Sequence, residues 1–223
     1  MDILKSDMYK FNKQQIANGL DLLSTICDKS VAVCFFDPQY RGLLDKLKYG
    51  NEGSKENARC NLTQMNEETI IKFIKEMDRV LKDSGHLFLW VDKYHLNEGD
   101  VKRWIDGTNF ELVDMITWYK NTFGLGSRSR STSEFLIVLQ KRPKRAKDIW
   151  TDHSIPDVWC EKIVEKTHPH EKPLELQKRL ICATTTDDDV VVDAAAGSYS
   201  VLEACKLSNR KFLGCDIQFG EEK

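Results

Sequence analysis

Val31-Ala32-Val33-Cys34-Phe35-Phe36 runs without a break into Asp37-Pro38-Gln39-Tyr40. Six apolar residues in a row, with β-branched and aromatic types among them, read as a central β-strand. The Asp-Pro step ends it, because proline brings no backbone donor and Asp-Pro favours a turn. Residues 37–40 therefore stand at the carboxyl end of a strand, which is where ligands bind in an open α/β sheet.

Outward from this stretch the same alternation repeats. Strands are expected at 15–17, 86–91, 110–119, 134–140, 190–192 and 211–215, which with 31–36 makes seven. Helices are expected at 20–27, 67–81, 98–105, 174–183 and 199–206. In the second of these, Ile70, Ile71, Ile74, Met77, Val80 and Leu81 share one face. Strands alternating with amphipathic helices predict an α/β fold: a seven-stranded, mainly parallel sheet with helices on both faces. No helix separates 110–119 from 134–140, so these two are expected as an antiparallel hairpin closing one edge.

A chain of 223 residues predicts a single domain over 1–223. Residues 41–66, rich in Gly, Asn and charge, are long for a connection and are expected to form a mobile substrate loop. Residues 143–167, carrying Trp150, Pro156 and Trp159, are expected to form a short target-recognition insert. There is no run of 18 uncharged apolar residues and no signal-like amino terminus, so the expectation is no membrane and a cytoplasmic place. Seven cysteines without a C-x-x-C pair read as reduced thiols.

Net charge is −2, but its distribution is uneven. Between Lys120 and Lys147 stand eight basic residues, with Glu134 as the single acid. That asymmetry suits phosphate binding and nominates Lys120, Arg128, Arg130, Lys141, Arg142, Lys144 and Arg145 as nucleic-acid contacts. A solvated basic turn is the plainer reading of the same residues.

Three constellations carry chemistry. At the first, a carboxylate (Asp37) and a backbone carbonyl (Pro38) could accept the two N–H bonds of an amino group on an aromatic base. Its lone pair is conjugated with the ring, so the group needs such help to become a nucleophile. Tyr40 offers a face on which an extruded base could stack. The second, Val190-Val191-Val192-Asp193-Ala194-Ala195-Ala196-Gly197-Ser198, is a strand entering a small-residue turn before a helix, where backbone N–H groups can approach a ligand. Asp216 follows Gly197 by 19 residues, at the end of the next apolar stretch, and is placed to bind ribose hydroxyls. The third is His168-Pro169-His170-Glu171-Lys172-Pro173-Leu174. Its two histidines lack a third ligand at metal spacing, so no metal is expected.

In this order the three blocks resemble the DNA amino-methyltransferases of restriction-modification systems, in their β arrangement. Asp37 to Tyr40 match D-P-P-Y at three of four positions, His168 to Leu174 match H-P-x-x-K-P-L at each fixed position, and Asp193 to Ser200 match D-P-F-x-G-S-G-T in part. The resemblance implies a Rossmann-like methyltransferase fold, S-adenosylmethionine as donor, and a flipped base in double-stranded DNA as acceptor. It implies direct in-line transfer, with Asp37, Pro38 and Tyr40 as catalytic residues. It also implies a cofactor site made of Asp37, His168, Pro169, Lys172, Asp193, Ala195, Gly197, Ser198 and Asp216. An Asp in the first position points to adenine N6 over cytosine N4. Gln39, Ala194, Ala195 and Tyr199 depart from the pattern, which keeps a non-catalytic DNA-binding subunit open as an alternative. A homodimer or a cognate restriction endonuclease is open as a further partner. A nucleotide-dependent oxidoreductase would need a Gly-x-Gly-x-x-Gly turn near the first strand, and the sequence has none.

Overall fold

The computed structural model describes residues 3–39, 64–124, 128–163 and 171–220. Among them, seven strands form one sheet: β1 (Val31–Phe36), β2 (Leu81–Val91), β3 (Phe110–Tyr119), β4 (Ser133–Lys141), β5 (Val158–Cys160), β6 (Val190–Asp193) and β7 (Lys211–Gly214). Their order is β5-β3-β4-β2-β1-β6-β7. Only β4 runs against its neighbours; the pairs β1–β2, β1–β6, β6–β7 and β3–β5 are parallel. The carboxyl ends of six strands thus share one edge, and β4 begins there at Ser133.

The helices are α1 (Gly19–Thr25), α2 (Glu67–Val80), α3 (Lys93–Glu98), α4 (Asp100–Trp104), α5 (Leu174–Thr184) and α6 (Ser200–Leu207). The six residues of β1 are all buried, which is why the strand has no polar face. Cys34 and Phe36 point into one core with Leu22, Phe73, Ile74, Met77 and Trp104, from α1, α2 and α4. Val33 and Phe35 point into the other, with Leu176, Leu180, Val201 and Leu202 from α5 and α6. In α2, Asn66 accepts the Thr69 N–H as N-cap, and Glu67 and Glu68 at the start oppose Arg79 at the end, in the sense the helix dipole favours. Replacing a fully buried residue on its inner face, such as Ile74, by Ala would cost about 3 kcal/mol.

Three expectations change in detail. Residues 15–17 form no strand: Ile16 makes only an isolated parallel bridge to Asp216, with Ala17 N–H on the Asp216 carbonyl at 2.9 Å. The seventh strand is β5, three residues inside the expected recognition insert, too short to show a period. The β3–β4 hairpin therefore lies one strand in from the edge. The expected helix at 98–105 becomes α3 and α4, broken at Gly99, which takes φ +75°. The substrate loop expected at 41–66 lies outside the described residues except for 64–66, where Met65 N–H bonds the Gln39 carbonyl at 2.7 Å. No helix among the described residues is long and apolar enough to cross a membrane.

Candidate active site

The strand order puts residues far apart in sequence side by side. In the sheet Phe35 pairs with Asp193, and Asp193 with Gly214. Asp37, Asp193 and Asp216 therefore leave three adjacent strand ends, within roughly 10 Å at the usual ~4.8 Å strand spacing. All three line one cleft, together with Ala195, Gly197 and Ser198.

Each carboxylate has its own surroundings. Asp193 is 6% exposed, and its Oδ1 accepts the Ala195 N–H at 3.1 Å. Burial pushes its pKa up to about 8, against the help of that N–H, and the nearby charges of Asp37 and Asp216 push the same way. Asp216 accepts the N–H groups of Gly197 (3.0 Å), Gln218 (2.8 Å) and Phe219 (3.0 Å). An ionised carboxylate has about four acceptor sites, so about one remains for a ribose hydroxyl. Asp37 is only partly buried, and its Oδ2 lies 2.9 Å from Lys172 Nζ. Burial raises its pKa, the Glu134 charge adds to the rise, and Lys172 opposes it.

Lys172 lines the same cleft. Its ammonium is held between Asp37 and Glu134, 2.8 Å from Glu134 Oε2, and lies 4.9 Å from the centre of the Trp90 ring. Glu134 is held on its other oxygen by Lys120, at 2.6 Å. Burial alone would lift the Glu134 pKa, but Lys172 and Lys120 outweigh it and hold the carboxyl well below its ordinary range. Sequence reading missed Glu134 and Trp90 as site residues. The signal for Glu134 was present, since it is the lone acid in a basic stretch; Trp90 is indistinguishable from core in an apolar strand.

The departures in the small-residue turn have local causes. Gly19 opens α1 against it: a Cβ there would stand 2.0 Å from the Ala194 carbonyl oxygen. Ala194 is buried in that contact. Tyr199 takes φ 58° but turns its ring away from the turn, 4% exposed and edge-on to Phe212. Its hydroxyl lies 2.8 Å from the Gln15 carbonyl and 3.0 Å from that of Phe219, and it accepts the Gln15 N–H at 3.0 Å. The tyrosine thus ties both terminal segments to the cleft rim.

Tyr40, His168 and Pro169 lie outside the described residues. The basic residues divide. Lys120, Arg128 and Arg130 belong to the loop between β3 and β4, at the same edge as Asp37, where Arg128 and Arg130 are exposed. Lys141, Arg142, Lys144 and Arg145 lie at the far end of β4 or beyond, about 27 Å away along a strand at ~3.4 Å per residue. Lys141 is 5% exposed and donates to the carbonyls of Asp78 and Leu81, so its ammonium does not face solvent. Arg142 and Lys144 are both paired with Glu111, at 2.8 and 3.9 Å. In the described part of the insert at 143–167, Trp150 packs edge-on to Phe88, and the Glu161 carboxylate accepts the N–H groups of Glu175 and Leu176 at the start of α5.

Comparison with known proteins gives the family and the fold. A family model described as DNA methylase, of the N6/N4 methyltransferase type, matches residues 31–221. The chain is 54% identical over 214 residues to the type II methyltransferase M.HhaII of Haemophilus parahaemolyticus, covering 95% of this chain and 93% of that protein. In fold it is similar to the cytosine-N4-specific PvuII DNA methyltransferase, at a TM-score of 0.70 and 20% identity over 92% of this chain and 82% of that one. It is also similar to M1.HpyAVI solved as a complex with SAM, at a TM-score of 0.66 and 17% identity over 93% and 94%.

Proposed function

This chain belongs to the N6/N4 DNA methylase family, the S-adenosylmethionine-dependent amino-methyltransferases of restriction-modification systems, and on that premise we propose that its acceptor is the N6 amino group of an adenine turned out of duplex DNA. The observation that carries the reading is the meeting of Asp37 and the turn around Gly197 on one cleft, although 160 residues separate them. Adenine is favoured over cytosine by the Asp at position 37, the residue usual there in adenine enzymes.

The residues of the cleft fit the donor. S-adenosylmethionine carries a net positive charge and supplies, when bound, a methyl group made electrophilic by the sulfonium. Three carboxylates on the cleft wall suit such a cation, and a buried Asp193 with a raised pKa gains a partner for its charge. The backbone N–H groups that open α6 are suited to the methionine carboxylate. Asp216 keeps acceptor capacity for ribose.

The chain's own part is orientation and electrostatics. Asp37 and the Pro38 carbonyl accept the two amino N–H bonds and draw the nitrogen toward a pyramidal shape, with its lone pair on the methyl. Tyr40 stacks the base, and the residues 41–66 read the target sequence. Arg128 and Arg130 meet phosphates from the loop after β3.

Incubation with isotopically labelled S-adenosylmethionine and unmethylated duplex DNA, followed by nucleoside analysis, tests this. Label is expected in N6-methyladenine; label in N4-methylcytosine overturns the acceptor, and label in neither favours a non-catalytic DNA-binding subunit. Asp37→Ala should lower methylation at least about 100-fold with cofactor binding retained.

A further inference from the structure

We infer that Lys172, braced by Glu134, is a positioning residue that holds the Asp37 carboxylate in the orientation and charge state in which it accepts hydrogen bonds from the target amino group. The inference rests on the acceptor role given above to Asp37. What carries it is the shared ammonium. Lys172 Nζ lies 2.9 Å from Asp37 and 2.8 Å from Glu134, while Lys120 takes the second oxygen of Glu134 at 2.6 Å. Acid and base alternate along this row, from β1 through the segment before α5 to β4 and the end of β3.

The row is walled by aromatic rings. Lys172 is 8% exposed and lies over Trp90; Lys120 lies 5.6 Å from the Trp118 ring centre, and the two indoles meet edge to face at 6.0 Å. In such surroundings an ammonium cannot exchange its carboxylates for water, so the geometry of one fixes that of the next. Glu134 meets Asp37 across the shared Lys172 ammonium. Its place in the row is to fix the lysine, and the lysine's is to fix Asp37.

The chemistry gives the arrangement a purpose. A protonated Asp37 would lose an acceptor site and present an O–H to the amino group, the wrong polarity for freeing a nitrogen lone pair. The charged groups facing Asp37 among the described residues are Lys172 and Glu134 directly, with Lys120 and Asp193 behind them. Burial and the Glu134 charge favour the protonated form of Asp37; Lys172 is the direct contact that opposes them. The two braces therefore act on Asp37 with opposite sign. Removing Lys172 makes Asp37 easier to protonate, and neutralising Glu134 makes it harder.

The test is the single-turnover methylation rate of the full chain against pH, at saturating DNA and S-adenosylmethionine, for wild type, Lys172→Met, Lys172→Arg and Glu134→Gln. Cofactor affinity is measured alongside by calorimetry. Lys172→Met should lose at least about tenfold in rate at neutral pH, with its acid limb moved up by about one pH unit or more and activity partly regained in alkali. Lys172→Arg should keep the wild-type limb. Glu134→Gln should move the limb down. A Lys172→Met profile with the wild-type limb, or a Glu134→Gln limb moving upward, overturns the inference. Glu134→Gln is isosteric, so the sign of its shift decides the matter even where Lys172→Met does not fold. Asp37→Asn separates this inference from its premise. If that variant methylates normally, the acceptor role of Asp37 fails; if it is dead while Lys172→Met behaves as wild type, only the positioning role fails.

Discussion

Lys141 and Lys172 are both buried, at opposite ends of the same sheet, and their partners differ in kind. Lys141 donates to two backbone carbonyls, of Asp78 and Leu81, at the end of α2. Its ammonium, 3.8 Å from the Asp78 carboxylate, acts as a cap at the negative end of a helix dipole. Lys172 instead lies between two carboxylates beside a cleft. A cation spent on carbonyls stabilises the fold; one held between acids controls their charge. The far end of the sheet is framework in this sense, and the carboxyl edge is where charge is concentrated for chemistry.

The sharpest way to break that contrast is at Lys141. Lys141→Met leaves two carbonyls and a buried acid without their cation and should destabilise the protein by about 3 kcal/mol, a melting point lower by roughly 10 °C. The single-turnover methylation rate of the protein that remains folded should not change. A rate loss without a melting shift would mean that the far end takes part in catalysis. Next in size is DNA binding. Arg128→Ala with Arg130→Ala should flatten the salt dependence of DNA affinity by about two units of slope, whereas Lys144→Ala with Arg145→Ala should leave it unchanged. Equal effects from the two pairs, measured by fluorescence anisotropy across a salt series, would put DNA across both ends.

The smallest effect concerns Asp193. Its folded-state pKa, about 8, lies above the ordinary 3.8, so at pH 7 it is mostly protonated without ligand. A bound cation favours the ionised form, so binding of S-adenosylmethionine should release close to one proton at pH 7. Affinity should tighten by up to about tenfold per pH unit as pH rises toward 8, then level off. Calorimetry in two buffers of different ionisation heat reads the released proton directly; no release would place the cation away from Asp193. In the free protein the sign is the reverse: ionising this buried acid costs stability, which therefore falls as pH rises from about 4 to 8.

The central strand, its acidic end and the turn before α6 were legible in the sequence because each is local. An unbroken apolar run, an Asp-Pro stop and a run of small residues need no knowledge of the rest of the chain. Strand β5 was not legible, since three residues carry no period and it exists only because Trp159 can lie alongside Trp118. The basic segment from Lys120 to Lys147 read as one patch for the opposite reason: its residues adjoin in sequence, but β4 carries them to both ends of the sheet. Tyr199 read as a departure from the family's small-residue turn, and only its hydrogen bonds to Gln15 and Phe219 reveal which way it turns.

By itself the sequence determined the fold class and marked Asp37, Asp193 and Asp216 as separate local features, because side-chain period and turn chemistry act over a few residues. It determined the family as well, through the order of its motifs. Tertiary structure alone decided that Asp37, Asp193 and Asp216 stand on neighbouring strand ends, and that Lys172 faces Asp37 and Glu134. Those facts follow from strand order and from an antiparallel β4, and both are settled by how helices of distant sequence pack against the two faces of the sheet.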